Sequence, residues 1–182
     1  MSILAIVLAL FLTAILIGMR LPKTHAAASR IRLPVPPERV FAVITDFEAY
    51  PLWRPGLDRV ESGPELDGLP SWYEFCTRDL RVQFRVTAWQ PPHHLRTRLV
   101  ADELPLSGAW DYDLAREDCG GTVLTITGRD KIHHPLLRFF TRYFLSYHGA
   151  MDIYLIALAR HFGIAAVPEH LSLKPADDAL AD

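Results

Sequence analysis

The sequence predicts an α+β fold, in which a curved antiparallel sheet of about seven strands is covered by a long C-terminal helix and preceded by a transmembrane helix. Three observations predict it. The run from Ile3 to Met19 carries no charge. Between Leu57 and Gly128, segments of alternating apolar and polar residues are separated by glycine- and proline-containing turns, which favours antiparallel pairing of successive strands. From Pro135 to Phe162, apolar residues recur every three or four positions, as in an amphipathic helix.

The N-terminal run, residues 1–21, is long enough to cross a bilayer. A helix of about 17 residues spans roughly 25 Å, close to the thickness of the hydrocarbon core. Because basic residues follow the run and none precedes it, we expect a retained single-pass anchor with the domain in the cytoplasm. A cleaved signal peptide is the alternative, with small residues at Ala26–Ala28 as a cleavage site, and an anchor of opposite orientation is another. The basic residues are Arg20, Lys23, Arg30 and Arg32.

Composition narrows the class of protein. The chain has 182 residues and a formal net charge of −2, and without its ends it leaves one domain, expected at residues 30–167. No basic stripe follows the membrane-proximal cluster, which argues against a nucleic-acid partner. The two cysteines, Cys76 and Cys119, form neither a metal-spaced pair nor a disulfide framework. We therefore expect no cofactor and no structural metal.

The elements follow in order. Residues 22–29 are expected to form a linker, and a first strand is expected over Arg30–Leu33. A helix begins at Pro36–Pro37, since proline suits the first turn, and a helical hook lies at Tyr50–Gly56. Residues 168–182 are polar and acidic, as in a disordered tail. Six strands in a meander are expected at Leu57–Glu61, Trp72–Thr77, Arg81–Trp89, Leu95–Val100, Trp110–Leu114 and Thr122–Gly128.

The last helix is expected to run about seven turns, from Pro135 until Gly163 stops it. Its apolar stripe is the element that can cover one face of the sheet.

Four segments of the chain carry a resemblance to a known family. They are Pro36–Phe41 with Asp46–Phe47 and Tyr50–Gly56, then Leu104–Trp110, Gly120–Ile126, and Tyr154–Leu155 with Leu158–Ala159. In this order they resemble the START-like (SRPBCC) superfamily, and more narrowly its polyketide cyclase/dehydrase and lipid-transport-like group. The resemblance covers about Ala28 to Gly163. It implies a helix-grip fold, in which a bent antiparallel sheet wraps round the C-terminal helix and encloses an apolar cavity.

Members of this superfamily share a cavity rather than a catalytic motif, so the resemblance transfers no catalytic residue. The first hypothesis is a membrane-anchored module that binds a lipid-like or other hydrophobic small molecule. The second is a cyclase or dehydratase acting on a polyketide-like or aromatic substrate, and the third is a partner-binding or chaperone-like module at the membrane. A buried histidine or carboxylate in the pocket would favour the enzyme, a wholly apolar pocket would favour binding, and a filled core would favour the third.

Aromatic residues and one methionine are the candidate cavity lining, because ligand pockets are mostly apolar and methionine suits an adaptable wall. No nucleophile elbow, P-loop, dinucleotide fingerprint or zinc-spaced set is present. The histidine pairs at positions 93–94 and 133–134 lie beside prolines and are expected in solvent. The candidate lining residues are Trp53, Phe84, Trp110, Tyr112, Tyr143, Tyr147 and Met151.

Glu74 leaves an alternative open. It shares one strand face with Trp72 and Cys76, opposite Tyr73 and Phe75. If the Trp72 face points inward, Glu74 is a buried carboxylate and a functional candidate. If Tyr73 and Phe75 face inward, Glu74 is an ordinary surface residue, and the alternation favours this second arrangement.

Three further polar residues are candidates for acid–base chemistry. Asp111 and Asp113 lie opposite the aromatic face of their strand and are expected in solvent, with Arg129 or Arg116 as partners. His148 lies in the last helix, where a core or edge position is favoured over a role as general base.

Overall fold

The computed structural model describes residues 3–76, 80–100, 106–143, 146 and 148–173. Its centre is an eight-stranded, curved antiparallel sheet with the strand order β2-β3-β4-β5-β6-β7-β1-β8, which confirms the predicted α+β class. The strands are β1 Thr24–Leu33, β2 Leu57–Ser62, β3 Ser71–Cys76, β4 Leu80–Gln90, β5 His94–Val100, β6 Leu106–Arg116, β7 Thr122–Ile132 and β8 Glu169–Leu171.

The first strand is longer than the sequence predicts and lies second from one edge of the sheet, between β7 and β8. β1 begins at Thr24 rather than at Arg30, so residues 24–29 form strand and not linker. The whole of β1 pairs with β7, from Thr24 opposite Lys131 to Leu33 opposite Thr122. A run of small side chains hid the strand from an analysis of periodicity.

Part of the expected tail also enters the sheet. Glu169–Leu171 forms β8 and pairs with residues 28–30 of β1. Arg30 binds Glu169 with an Nη2–Oε2 distance of 2.7 Å, and Arg32 also reaches the Glu169 carboxylate. These ion pairs explain why a polar segment adds a strand. Residues 174–182 lie outside the described part of the chain.

The expected seven-turn helix is two helices, α3 at Pro135–Tyr143 and α4 at Gly149–His161. Glycine is a poor helix former and serine competes for backbone hydrogen bonds, which favours an interruption near Ser146 and Gly149. The backbone N–H of His148 donates to Ser146 Oγ at 3.2 Å, a local bond that competes with helical pairing.

The two helices have different neighbours. α4 packs on β1 and presents Tyr154, Leu155 and Leu158 to the core. α3 instead contacts β7 and the N-terminal helix α1, Ile3–Arg20. The core is completed by α2, Pro37–Thr45, and by the 3-10 helix Phe47–Leu52.

α1 is apolar and largely exposed, and in the described part of the chain it is the one helix with the length and hydropathy of a membrane span. By those criteria it is equally compatible with a signal sequence. Its last turn meets α3 closely, because a Cβ placed on Gly18 would lie 2.0 Å from the carbonyl oxygen of Pro135. The Arg138 guanidinium, which is buried, donates from Nη1 to the carbonyl oxygen of Leu21 at 2.8 Å. This bond satisfies a carbonyl at the end of α1 and ties α3 to it.

Candidate functional site

A cavity of about 440 Å³ lies between the inner face of the sheet and the helices α3 and α4. Aromatic and aliphatic side chains make most of its wall, and a few polar groups interrupt it. From α3, Leu137 and Thr141 close one side. The remaining lining residues are Tyr50, Arg54, Trp72, Glu74, Phe84, Thr97, Leu99, Gly108, Trp110, Tyr112, Asp130, Ile132 and Ala150.

Arg54 and Glu74 form the main polar feature of the wall. The 3-10 helix ends at Leu52, and the backbone N–H of Arg54 bonds the carbonyl oxygen of Tyr50 at 2.8 Å, which holds Arg54 against the sheet. Arg54 Nη1 lies 2.6 Å from Glu74 Oε1, and the Arg54 guanidinium also stacks over the Tyr50 ring at 4.6 Å. The indole N–H of Trp72 donates to the same Glu74 oxygen at 3.1 Å.

The sequence expectation for Glu74 was wrong. Trp72 and Glu74 point inward and are 3% and 4% exposed, whereas Tyr73 and Phe75 lie half-buried on the outer face. The outer aromatics are covered by arginines, since Arg59 stacks on Phe75 at 3.7 Å and Arg81 stacks on Tyr73 at 3.8 Å. Arg54, in the turn after the 3-10 helix, makes the inward position of Glu74 possible because it pairs with the carboxylate.

Asp130 is the second carboxyl group in the wall. The inner face of β7 continues beyond Gly128 to Asp130 and Ile132, past the point where the sequence analysis ended the strand. Within the described chain the Asp130 carboxyl group makes no side-chain hydrogen bond or ion pair, and burial raises its pKa to about 6. A carboxyl group in this position exchanges a proton near neutral pH, as a general acid or base must. Asp130 pairs with Gly108 on the neighbouring strand β6, and the Asp130 carboxyl group has room because Gly108 has no side chain.

The tyrosine hydroxyls of the wall stay protonated. Burial raises the pKa of Tyr50 and of Tyr112 above the ordinary value. Tyr50 donates its proton to the carbonyl oxygen of Ile44 at 2.7 Å. These groups therefore act as neutral donors, and Glu74, Arg54 and Asp130 carry the charge of the site.

The predicted lining residues are dispersed. Phe84, Trp110 and Tyr112 line the cavity from β4 and β6. Trp53 instead borders a surface groove between the 3-10 helix and α4, and it packs on Tyr154 at 5.2 Å. Met151 is buried in the core and Tyr143 is 59% exposed on α3, and neither lines the cavity. Tyr147 lies outside the described residues.

His148 belongs to a polar network at the junction of β1, α4 and β8. Its Nδ1 lies 3.1 Å from Ser29 Oγ, and Ser29 donates to Asp152 at 2.9 Å. His170 stacks on His148 and binds Asp152 at 2.8 Å. Burial lowers the pKa of His148, with His170 acting in the same direction. Ser29 is fully buried, so this network fastens β8 and α4 to β1 and gives no substrate access to the hydroxyl.

Histidine and acidic residues on the outer face form pairs rather than metal sites. His94 Nδ1 lies 2.8 Å from Asp113 Oδ1. The expectation that Asp111 is solvated is wrong, because Asp111 is only 5% exposed. Asp111 is covered by Arg96 and by the expected partner Arg129. Over the described ranges, no group of three or more histidine, cysteine and acidic side chains is arranged to hold a metal ion.

Sequence reasoning missed Arg54 and Asp130 altogether. For Asp130, extending the alternation of β7 from Leu124 and Ile126 through Gly128 would have placed it on the inner face. For Arg54, no local pattern predicts the ion pair, because Arg54 lies in the turn after the 3-10 helix and its partner Glu74 lies on β3.

Solved structures of low sequence identity share this fold. An aromatase/cyclase from Streptomyces sp. R1128 superposes with a TM-score of 0.63 at 13% identity, covering 76% of this chain and 93% of that one. A START superfamily protein from Mycobacterium smegmatis gives a TM-score of 0.56 at 16% identity, covering 75% and 96%. The di-domain ARO/CYC StfQ from the steffimycin biosynthetic pathway gives 0.61 at 11% identity, where the match covers 78% of this chain and 52% of that one.

No curated protein sequence matches this chain. At these identities the structural likeness establishes the fold and leaves activity open. The sequence itself matches the family described as "Polyketide cyclase / dehydrase and lipid transport" over residues 24–161, from the first residue of β1 to the last of α4. The chain therefore belongs to the polyketide cyclase/dehydrase and lipid transport family, within the START-like superfamily.

Proposed function

We propose that the domain binds a lipid-like or other hydrophobic small molecule with a polar end, and that α1 holds it at the cytoplasmic face of a membrane. The observation that carries the proposal is the cavity of about 440 Å³, a volume typical of small-molecule sites. Phe84, Trp110 and Leu99 offer an apolar surface to the body of the ligand. Arg54 and Asp130 offer hydrogen bonds to its polar end.

The position of α3 supports access from the membrane. Leu137 and Thr141 of α3 line the cavity, and Arg138 ties the same helix to the end of α1. Phe140, on α3, is 45% exposed. If α1 spans the bilayer, α3 rests at the membrane surface, where an apolar ligand partitions.

The position of β1 favours a retained anchor over a cleaved signal. Cleavage at Ala26–Ala28 would remove the first half of β1, which pairs with β7 from Gly128 to Lys131. A domain released in that way would lose the residues of β1 that extend the sheet beyond the second half of β7.

A ligand-binding experiment tests the proposal. The full chain, purified in a mild detergent, is analysed by native mass spectrometry for co-purified molecules and titrated with a fluorescent fatty acid. We expect saturable binding that Leu99→Trp abolishes by filling the cavity, whereas Leu52→Trp leaves it unchanged because Leu52 is 84% exposed on the 3-10 helix. A folded chain without saturable binding would favour the partner-binding hypothesis.

A second function, acid–base catalysis, is favoured by Asp130. Carboxyl groups in the cavity wall, Glu74 buried and Asp130 half-buried, are the feature expected of an enzyme, and likeness to an aromatase/cyclase suggests dehydration of a polyketide-like substrate. In such a step the Asp130 carboxylate would accept a proton from carbon, and the protonated group would return it to a hydroxyl leaving as water.

Turnover separates the two functions. A molecule extracted from the chain and returned to it should emerge unchanged if the protein is a binder. If it is converted, Asp130→Asn should remove conversion while retaining affinity, and Glu38→Gln, at an exposed position of α2, should remove neither.

A further inference from the structure

The outer face of the sheet carries a row of basic residues that the strand register assembles. Arg85 of β4 pairs with Arg98 of β5, and Arg98 pairs with Ala109 of β6. Ala109 then pairs with Arg129 of β7, and Arg129 with Ala26 of β1. Arg85, Arg98 and Arg129 therefore lie in one row across the sheet, with Ala109 between Arg98 and Arg129 as the floor of the gap.

This row lines a groove of about 490 Å³ on the face opposite the interior cavity. Neighbouring strands lie about 4.8 Å apart, so Arg98 and Arg129, two strands apart, flank a gap of roughly 10 Å over Ala109. Small residues complete the floor, and Lys131 stands at its end. The other lining residues are Thr24, His25, Thr87, Arg96, Ser107, Gly108, Asp130 and His133.

The charges in the groove are only partly neutralised. Arg85 and Arg98 are direct cross-strand partners of like charge, an arrangement that destabilises a sheet. Asp67, which is 87% exposed, reaches Arg85 at 3.3 Å. Arg98 and Lys131 have no ion-pair partner in the part of the chain that the structure describes, and both are exposed. An anion in the groove would offset this repulsion.

Asp111 holds the cations beside the floor in place. It is buried, and Arg96 binds it through Nε at 2.6 Å and through Nη2 at 3.0 Å. Arg129 Nη1 donates to Asp111 Oδ2, the oxygen that also accepts from Arg96 Nη2. One carboxylate thus orients two guanidinium groups. Asp130 is the remaining carboxyl group at the groove, and it lies on the inner face of β7.

We propose that this outer groove binds a phosphate group, with Arg98, Arg129 and Lys131 as its principal partners. Guanidinium groups match the geometry of phosphate oxygens, and several converge here on a floor of small side chains. The proposal does not depend on the interior cavity, because Arg98, Arg129 and Lys131 line the groove and not the cavity.

The groove lies beside the end of α1. Lys131 pairs with Thr24, the first residue of β1, and the carbonyl oxygen of Lys23 accepts a bond from the backbone N–H of Ile132 at 2.8 Å. The phosphate is therefore either a lipid headgroup at the membrane surface or a soluble phosphate ester, and the chemistry of recognition is the same for both.

Binding of two probes to the full chain in an uncharged detergent tests the site. Inorganic phosphate and dihexanoyl phosphatidic acid are titrated separately by calorimetry. We expect saturable binding that Arg98→Gln weakens by about tenfold, the effect of losing one charge-assisted contact. Lys131→Gln, which removes an exposed lysine at the rim, tests the same site without touching the arginine row.

Two control variants test whether the loss of phosphate binding is specific to the groove. Arg39→Gln removes one exposed charge from α2, outside the groove, and should change the affinity by less than about twofold. Leu99→Trp, which fills the interior cavity, should leave phosphate binding intact even where it removes apolar ligands. Tighter binding of the lipid than of inorganic phosphate identifies a headgroup, and equal binding identifies a soluble phosphate. Absence of saturable binding of both probes, or an equal loss in Arg39→Gln and Arg98→Gln, would overturn the proposal.

Discussion

Arg54 and Glu74 form an ion pair in the wall of the interior cavity, with 2.6 Å between Nη1 and Oε1. The pair joins the turn after the 3-10 helix to β3, and Trp72 donates a hydrogen bond to the same carboxylate. Neither charge has full access to solvent, since the two side chains are 20% and 6% exposed. The stability of the fold should therefore depend on keeping both partners or neither.

Glu74→Leu is expected to lower the free energy of unfolding by about 3–5 kcal/mol, because it leaves the Arg54 charge buried without its partner. The double variant Arg54→Met with Glu74→Leu should recover most of that loss. Chemical denaturation of the full chain in detergent measures both. A single variant as stable as the wild type would show that solvent, not Glu74, compensates Arg54.

Asp130 should make the protein more stable in mild acid. Its pKa in the folded chain is raised to about 6 by burial, so the folded state holds a proton that the unfolded state releases. The contribution is complete below the ordinary pKa of an aspartate, and it is lost as the pH rises through about 6. The full effect is of the order of 3 kcal/mol.

Asp130→Asn removes this dependence. Relative to the wild type, the variant should gain stability at neutral pH and show a flatter curve of unfolding free energy between about pH 4 and pH 6. Denaturation at several pH values measures the difference between the two proteins, in which the titration of other groups cancels. Parallel curves would mean that Asp130 is solvated in the folded state.

Trp110→Ala should affect ligand binding more than stability. Trp110 is half-buried and faces the cavity, so its removal enlarges an existing space and should cost less than the ~3–5 kcal/mol typical of a core aromatic. Affinity for a fluorescent fatty acid should fall, because one aromatic wall is lost. Tyr73→Ala, on the outer face of β3, is the control and should leave affinity unchanged.

Gly18→Val should separate α3 from α1 without altering the apolar character of α1. A Cβ at Gly18 would overlap the carbonyl oxygen of Pro135, a backbone atom that cannot move alone. Hydrogen exchange of α3 should then become faster. Ala9→Val, at an exposed position of the same helix, should leave exchange in α3 as it is in the wild type.

The orientation of the anchor is tested by reporters fused after Asp182. Because basic residues follow α1 and none precedes it, a reporter that is active only in the cytoplasm should be active. Activity of a reporter that works only outside the cytoplasm would reverse the orientation. A mature chain beginning near Ser29 would instead establish a cleaved signal.

The meander from β2 to β7 could be predicted from the sequence, because the alternation within each strand is a local property and glycine or proline marks the turns between strands. The apolar character of α1 is local in the same sense. The first half of β1 could not be predicted, since Ala26–Ser29 has only small side chains and becomes strand by pairing with β7. β8 likewise forms because Glu169 meets Arg30.

The sequence by itself determined the order of strands from β2 to β7, the apolar strand faces that carry Phe84, Trp110 and Tyr112, and the apolar nature of the first helix. Tertiary structure decided the charged groups. Glu74 points inward because Arg54, far along the chain, reaches it, and the basic row exists because three strands align their arginines in one register. Periodicity reports which residues share a face of one strand. Which face turns inward, and what lies beside a residue on the next strand, depends on pairings between distant segments.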